Sequence, residues 1–546
     1  MPRRTFSRAR KRMLRIEQPI EMQVAAVREP IAQIGDNARL EFRHSQMLPS
    51  APMPESTIRR ALARTATAAV LALTLASCSD RALPERRIAL TECRLPKVPQ
   101  AVQCGRLEVP ENRDQPDGAK LSVFVAVLPA NTLSPKPDPL VLLAGGPGQA
   151  ASTLGPFALQ LSAIRRTRDI VLVDQRGSGR SAPLDCAAFA PDEHAEFDID
   201  PVPKSLLCAW QLAGRHIDAS QYTTSAFVAD LDAVRQALGY SKLNLWGGSY
   251  GTRVAQEYLR RYPQHVRSVV LDGVAPPSMR ISFDVWRTRD DALDDVIAAC
   301  RASVPCAKAH PDPAATLREI GQALEGGKSI TLRDPRTGIT REMHVEFDMV
   351  IGALQPLTYS PEAASLIPEL LALAQAGDFA PLVAASLVVI GDLPDQFSPG
   401  LHYSVTCAED VSRVTRAERT NGVDDERVRS LARRTIAVCD QWPKGTYPAD
   451  FVQPVKSDVP VLLLSGGLDP VTPPAYAAEV AKNLTASRLV VARGFGHIVS
   501  PHACAPRLIA AFVDEAGFAT LPQSCIDFLE HSQRPPAWPD RLAPQS

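Results

Sequence analysis

What this sequence lacks narrows it first. It has no net charge, since 60 Lys and Arg balance 60 Asp and Glu, so no overall field draws nucleic acid or a polyanionic substrate toward it. No CxxC pair and no Cys/His spacing of the zinc-binding kind is present, so no metal or cofactor is called for. No internal repeat stands out, which sets aside solenoids and propellers. The 48 prolines are scattered, so they mark fixed turns and not a low-complexity tail. What remains is a globular protein acting on a small or neutral partner. Its 546 residues, 45% of them apolar, suffice for a large core and as many as three or four domains. Nothing in the sequence sets the oligomeric state.

An export signal stands near the N-terminus. "RRALARTATAAVLALTLASCSD", residues 59–80, runs from arginines through an apolar segment, Thr65 to Ala76, to small residues before a cysteine, the order of a secretory leader. The apolar segment is too short for a membrane span, which needs about 20 residues. Leu75 to Cys78, "LASC", resembles a bacterial lipobox. That resemblance implies lipidation of Cys78 and a periplasmic or cell-envelope protein anchored to a membrane, with a plain signal peptide cleaved nearby as the alternative. Residues 1–52 are basic and weakly patterned, yet a leader stands near the start of its protein. Translation is therefore expected to begin at Met53, with residues 53–78 as the leader and 1–52 as a non-native or disordered extension.

Ten cysteines follow Cys78: Cys93, Cys104, Cys186, Cys208, Cys300, Cys306, Cys407, Cys439, Cys504 and Cys525. An even number in an exported chain reads as disulfides, and their grouping as close neighbours along the chain favours sequential pairing. Buried free thiols are the alternative.

Short apolar runs at 121–130, 139–148, 168–177, 242–248, 267–274, 459–469 and 487–497 mostly end in Gly or Asp and read as buried parallel strands. Helical patterns lie between several of them. The alternation predicts an α/β fold with an open, mostly parallel, doubly wound sheet and function at the carboxyl ends of the strands. Between about Pro276 and Pro454 the pattern becomes helical, at 286–303, 313–327, 365–378 and 425–442, with one hairpin expected around 330–347. Because strands resume afterwards, residues 276–454 are expected to form a mainly helical cap inserted between two parts of the sheet domain, 79–275 and 455–546. A separate domain with its own role is the alternative.

The chemistry concentrates in "GGSYG", Gly247 to Gly251, a G-x-S-x-G between a predicted strand and a predicted helix. There Ser249 would sit on a tight, strained turn that flanking glycines make possible. A serine hydroxyl needs a base, and the base needs an orienting group. Asp469 in "SGGLDPVTPP" and His497 in "GFGHIVSP" each follow a predicted strand, in the order Ser, Asp, His. Ser249 is the expected nucleophile, His497 the base and Asp469 the orienter, with Asp272 as the competing acid. "GGPG", Gly145 to Gly148, offers backbone for an oxyanion hole, expected from the N–H groups of Gly146 and Tyr250. Asp174 and Arg176 in "DQRGSGRS" read as a structural ion pair or loop anchors.

Together, "GGPG", "VLVDQRGSGRS", "GGSYG", "GGLDPVTPP" and "GHIV" resemble the proline iminopeptidase and tripeptidyl aminopeptidase branch of the α/β-hydrolases, and the resemblance covers nearly all of the chain after the leader. It implies an α/β-hydrolase fold and a serine exopeptidase whose partners are peptides with free N-termini. Ala144 stands before "GGPG" where small proline iminopeptidases often carry histidine, which counts against strict release of N-terminal proline. An exopeptidase must also recognise a free ammonium. Glu409 and Asp410 in "TCAEDV" are the candidates, exposed carboxylates at a helix start being the plainer reading. A carboxylesterase of the same fold, or a non-catalytic binding protein on this scaffold, remains the competing function.

Overall fold

The structure, a computed structural model, describes residues 88–189, 201–391, 396–421, 426–531 and 538. The leader, Met53 and Cys78 lie outside the described residues. The apolar runs of the sequence become strands of one sheet: β1 (Thr91–Cys93), β2 (Val102–Pro110), β3 (Lys120–Leu128), β4 (Leu140–Leu143), β5 (Ile170–Val173), β6 (Leu243–Gly248) and β7 (Val266–Asp272). After a hairpin of β8 (Lys328–Arg333) and β9 (Thr340–Val345) outside that sheet, β10 (Val461–Gly466) and β11 (Ser487–Ala492) complete it. The order is β1-β2-β3-β5-β4-β6-β7-β10-β11. From β5 through β11 every neighbouring pair is parallel. The run at 121–130, read from sequence as a parallel strand, is instead antiparallel to both β2 and β5. A connection of only nine residues, 111–119, reverses the chain between β2 and β3, whereas a parallel crossover needs a dozen or more.

Successive residues of a strand point to opposite faces, and here both faces are buried. Val123, Val125, Val141, Val171, Leu245, Val269 and Leu463 join one apolar cluster, while Phe124, Ala126, Leu142, Leu172, Trp246, Val270 and Leu464 join a second. That is why the runs are apolar throughout instead of alternating. Helices α1 (Thr224–Ala237) and α2 (Tyr250–Arg261) cover the first face with Phe227, Leu231, Val254 and Tyr258. The helix Ala505–Glu515 covers the other with Leu508, Ile509 and Phe512.

The chain leaves the sheet after β7 and returns at β10, its hydrogen-bonded neighbour, so the intervening residues interrupt the sequence but not the sheet. They begin with α3 (Ile281–Ala302) and include helices at Pro313–Ala323, Phe347–Leu357, Ile367–Gln375, Ala380–Ile390, Pro399–Val405 and Glu426–Gln441. Leu293, Ile297, Leu317, Leu354, Leu371 and Leu382 form an apolar cluster of their own. By contrast, Leu401, Val405, Cys407, Val411, Cys439 and Trp442 belong to the first cluster of the sheet.

Five disulfides join sequential cysteines: Cys93–Cys104, Cys186–Cys208, Cys300–Cys306, Cys407–Cys439 and Cys504–Cys525. Each closes a short loop, and a loop of about 15 residues contributes roughly 3 kcal/mol by restricting the unfolded chain, so they pin segments of a fold the core already specifies. No helix among the described residues is long and apolar enough to cross a membrane.

Candidate active site

β6 ends in Gly247 and Gly248 and α2 begins at Tyr250, leaving Ser249 at the crest of the turn. Ser249 adopts φ 55° and ψ −124°, a conformation that costs a non-glycine residue on the order of 1–3 kcal/mol and persists only where its surroundings enforce it. Its N–H donates to the Asp272 carbonyl at 2.9 Å, and its own carbonyl accepts from the Thr252 N–H at 2.8 Å and from Thr252 Oγ1 at 2.6 Å. The glycines permit the packing. A Cβ on Gly247 would overlap the Gly251 carbonyl, and one on Gly251 would overlap the Leu143 carbonyl at the end of β4.

Asp469 and His497 come from the loops after β10 and β11. His497 Nδ1 lies 3.0 Å from Asp469 Oδ1 and 2.9 Å from Oδ2. A carboxylate only accepts, so Nδ1 carries a proton, and in the neutral tautomer this selects, Nε2 keeps the lone pair. The Asp469 carboxylate accepts from the N–H groups of Val471 and Thr472 and from Thr472 Oγ1, each at 2.8 Å. The His497 N–H donates to the Tyr359 carbonyl at 3.1 Å, and the Tyr359 ring meets the imidazole edge-on at 5.4 Å between centroids. The β7 terminus connects the two parts: Ser249 bonds Asp272, and a Cβ on the next residue, Gly273, would lie 3.0 Å from His497 Cε1. No hydrogen bond joins Ser249 Oγ to His497 among the described residues, and such bonds commonly close only around substrate.

Asp272, the competing acid, is fully buried. Its carboxylate accepts from the N–H groups of Val499 and Ser500 at 3.0 and 2.7 Å. It therefore anchors the loop that follows His497, while Asp469 meets the imidazole. Burial raises the Asp272 pKa, against the pull of those hydrogen bonds.

The GGPG turn abuts the serine, since a Cβ on Gly145 would lie 3.3 Å from Ser249 Cβ. Gly146 and Gly148 take φ 111° and 117°, the left-handed region that glycine occupies at no steric cost. Neither the Gly146 N–H nor the Tyr250 N–H donates to a described residue, so both remain available for an acceptor.

Glu409 and Asp410 are placed differently from the expectation. Both are fully enclosed, at 0% exposure, and engaged within the protein. Glu409 accepts from the Thr224 N–H at 2.6 Å and Thr224 Oγ1 at 2.8 Å. Asp410 accepts from Arg253 Nη1 at 2.9 Å. Burial pushes the Glu409 carboxyl up to about 7, partly offset by Arg253 and Thr224. The sequence shows two adjacent acids, and it took the fold to reveal their partners.

Asp174 and Arg176 are loop anchors, although not a pair with each other. Asp174 accepts from the Ser152 N–H at 2.7 Å and the Arg180 N–H at 2.9 Å. Arg176, fully buried, forms a fork on Asp230 at 2.6 and 2.7 Å. Sequence reading missed Tyr359, Thr472, Thr224, Arg253, Phe397 and His402. Thr472 lies in the quoted "DPVTPP" and was accessible as an Asx-type partner of Asp469. Arg253 lies on α2 itself, one turn after Ser249, and Tyr359, Thr224, Phe397 and His402 reach the site from distant segments without a local signal.

Residues 138–301 match the α/β hydrolase fold family, and residues 428–525 match a second family described as TAP-like protein. The chain is 27% identical over 430 residues to the serine protease Hip1 of Mycobacterium tuberculosis, covering 72% of this chain and 81% of that protein. It is 26% identical over 429 residues to the tripeptidyl aminopeptidase of Streptomyces lividans, covering 73% and 78%. A probable proline iminopeptidase of Streptomyces coelicolor is 34% identical over 145 residues, 27% of this chain and 35% of that one. With its sheet, its serine turn and these relatives, the chain is a serine hydrolase of the α/β-hydrolase fold, similar to the tripeptidyl aminopeptidases and proline iminopeptidases.

Proposed function

We propose that the protein is an exported serine exopeptidase that releases residues or short peptides from free N-termini through an acyl-enzyme. The observation that carries this reading is the Asp469–His497 pair, 2.9 Å apart, at the same sheet edge as the strained Ser249. His497 Nε2 takes the proton from Ser249 Oγ as that oxygen attacks the scissile carbonyl, and Asp469 holds the imidazole tautomer and stabilises its charged form. The N–H groups of Gly146 and Tyr250 receive the developing oxyanion, where loss of one donor typically costs about a hundredfold to a thousandfold in rate. The imidazolium then protonates the leaving amine, and water repeats the sequence to free the acyl group. The peptidase assignment draws on relatives named tripeptidyl aminopeptidase and proline iminopeptidase.

Export is supported by the leader at residues 59–80 and by the five disulfides, which persist in oxidising compartments. Residues 53–78 are the proposed leader, with Cys78 the lipidated first residue of the mature chain. Residues 276–454 are the proposed cap.

The test is a panel of free-amine and N-acetylated mono-, di- and tripeptidyl chromogenic amides plus a short acyl ester. Ser249→Ala is expected to lower kcat by on the order of a millionfold and Asp469→Asn by about ten-thousandfold. Cleavage of one free-amine length, lost on acetylation, supports the exopeptidase. Cleavage of the ester alone replaces it with a carboxylesterase.

A further inference from the structure

The two N–H groups assigned to the oxyanion hole lie on different elements, Gly146 after β4 and Tyr250 at the start of α2. One continuous stretch, residues 396–410, reaches both. On the Gly146 side, Gln149 and Phe397 form an antiparallel bridge. The Ala150 N–H donates to the Gln396 carbonyl at 3.3 Å and the Ser398 N–H to the Gly148 carbonyl at 3.0 Å. Phe397 covers Gly146 closely, since a Cβ there would lie 2.9 Å from the ring. His402 Nδ1 lies 3.2 Å from the Pro147 carbonyl, which can only accept, so Nδ1 donates. Burial lowers the His402 pKa and favours the neutral ring.

On the other side the hydrogen bonds form a directed chain. With Glu409 ionised, its carboxylate accepts from Thr224 Oγ1 at 2.8 Å, so the Thr224 hydroxyl proton is committed and its oxygen accepts from the Tyr250 phenol at 2.7 Å. Gln175 Nε2 donates to the phenol oxygen at 3.2 Å. One helical turn further along α2, Arg253 is held by Asp410 at 2.9 Å, and its Nη2 donates to the Met279 carbonyl. Thr406–Asp410 is a π-helical turn, a form that recurs at functional sites, and it directs the adjacent side chains of Glu409 and Asp410 inward together. The Cys407–Cys439 disulfide ties the same turn to the helix Glu426–Gln441.

We propose that residues 396–410 are a positioning clamp for the oxyanion hole, in which Glu409, through Thr224, fixes the seat of Tyr250 while Phe397 and His402 fix the GGPG turn. This rests on assigning the hole to Gly146 and Tyr250. Among the described residues no hydrogen bond joins 396–410 to Ser249 or His497, so the clamp acts through the hole's two donors and its loss is expected in kcat more than in KM.

The discriminating variants are Tyr250→Phe, which removes the phenol oxygen but keeps the backbone N–H, together with Thr224→Val and Thr224→Ser. Each is assayed for kcat and KM on the substrate that the wild type cleaves fastest, and for inhibition by a peptide boronic acid whose serine adduct places an oxygen in the hole. The expected result is a kcat about ten- to a hundredfold lower for Y250F and T224V, below the loss of a whole donor. KM stays within about twofold, boronate inhibition weakens in parallel with kcat, and T224S restores wild-type behaviour. Melting temperature is followed for each variant, and Y250F still reads the link if T224V does not fold. If S249A abolishes turnover while folded Y250F keeps wild-type kcat, the clamp is wrong and the active-site assignment stands. If KM rises with kcat unchanged, the segment serves binding and the clamp is likewise overturned. If S249A remains active, the site assignment falls and takes the clamp with it.

Discussion

The residues between β7 and β10 divide into two regions built on different principles. In the outer one, Leu293, Leu317, Leu354 and Leu382 bury against each other in a separate cluster, and the region meets the candidate site through Tyr359, whose carbonyl receives the His497 N–H. In the inner one, Leu401, Val405, Cys407 and Trp442 are part of the sheet's own core. Its polar groups, Glu409, Asp410 and His402, bond to the serine helix, α1 and the GGPG turn. Contiguity in sequence thus conceals a boundary in energetics. The inner region is part of the sheet's core in all but chain order, and the outer region packs around a core of its own.

The sharpest way to break this comparison is to remove a charge from each region. Arg253 is 2% exposed and faces Asp410 and Glu409, both 0% exposed, at 2.9 and 3.7 Å. Arg253→Met leaves two buried carboxylates without their main cation, an error that costs about 3–5 kcal/mol. Denaturant unfolding is expected to show that loss, with turnover falling as well. In the outer region Arg301 and Asp312 pair at 49% and 47% exposure, where solvent and salt screen the attraction. Arg301→Ala is expected to leave the unfolding midpoint and kcat unchanged. Equal effects from the two substitutions would erase the distinction between the regions.

A second contrast uses one methyl group. Gly400 packs so closely on Leu184 that a Cβ would overlap its carbonyl, whereas a Cβ on Gly352 would meet nothing within 4 Å. Gly400→Ala is expected to destabilise by about 1–3 kcal/mol through overpacking and to lower kcat by disturbing the segment that bonds the GGPG turn. Gly352→Ala, on an exposed helix position, is expected to stabilise by about 0.4–1 kcal/mol, largely by restricting the unfolded chain, with activity unchanged. Thermal melts and steady-state kinetics on the pair read both effects.

The same division explains how much was legible in the sequence. Strand runs, the serine turn and the order of Ser249, Asp469 and His497 are encoded locally, because apolar continuity, glycine and strand-end loops each leave a mark within a few residues. The direction of β3, and β1 and β2 altogether, were lost because β2, "VQCGRLEVP", mixes charged and apolar side chains on the antiparallel side of the sheet. The helix Ala380–Ile390, "APLVAASLVVI", has too few polar residues for a 3.6-residue period to show. The sequence marked Glu409 but not its burial. Its surroundings are set by Thr224, 185 residues earlier, and adjacency in sequence carries no information about which charges a buried acid will face.

The smallest effect tests whether Glu409 behaves as a core residue. Burial raises its pKa from an ordinary 4.5 to about 7, so the folded state holds this proton more tightly than the unfolded chain does. The group therefore contributes stability below pH 4.5 that is lost as pH rises toward 7. The charges and titratable groups facing it are Arg253 and Tyr250 on α2 and, from its own segment, Asp410. His402 lies nearby and feels the charge of Asp410. All of these are retained in Glu409→Gln, which removes only the titrating group, so their own titrations largely cancel in the comparison. The melting temperature of E409Q minus that of the wild type is expected to climb between about pH 4.5 and 7 and then level off, whatever its sign at the start, since glutamine also loses one of the two acceptors that hold Thr224. A difference that stays flat with pH would mean that Glu409 is solvated when folded, and the inner region would then be a lid on the core and not part of it.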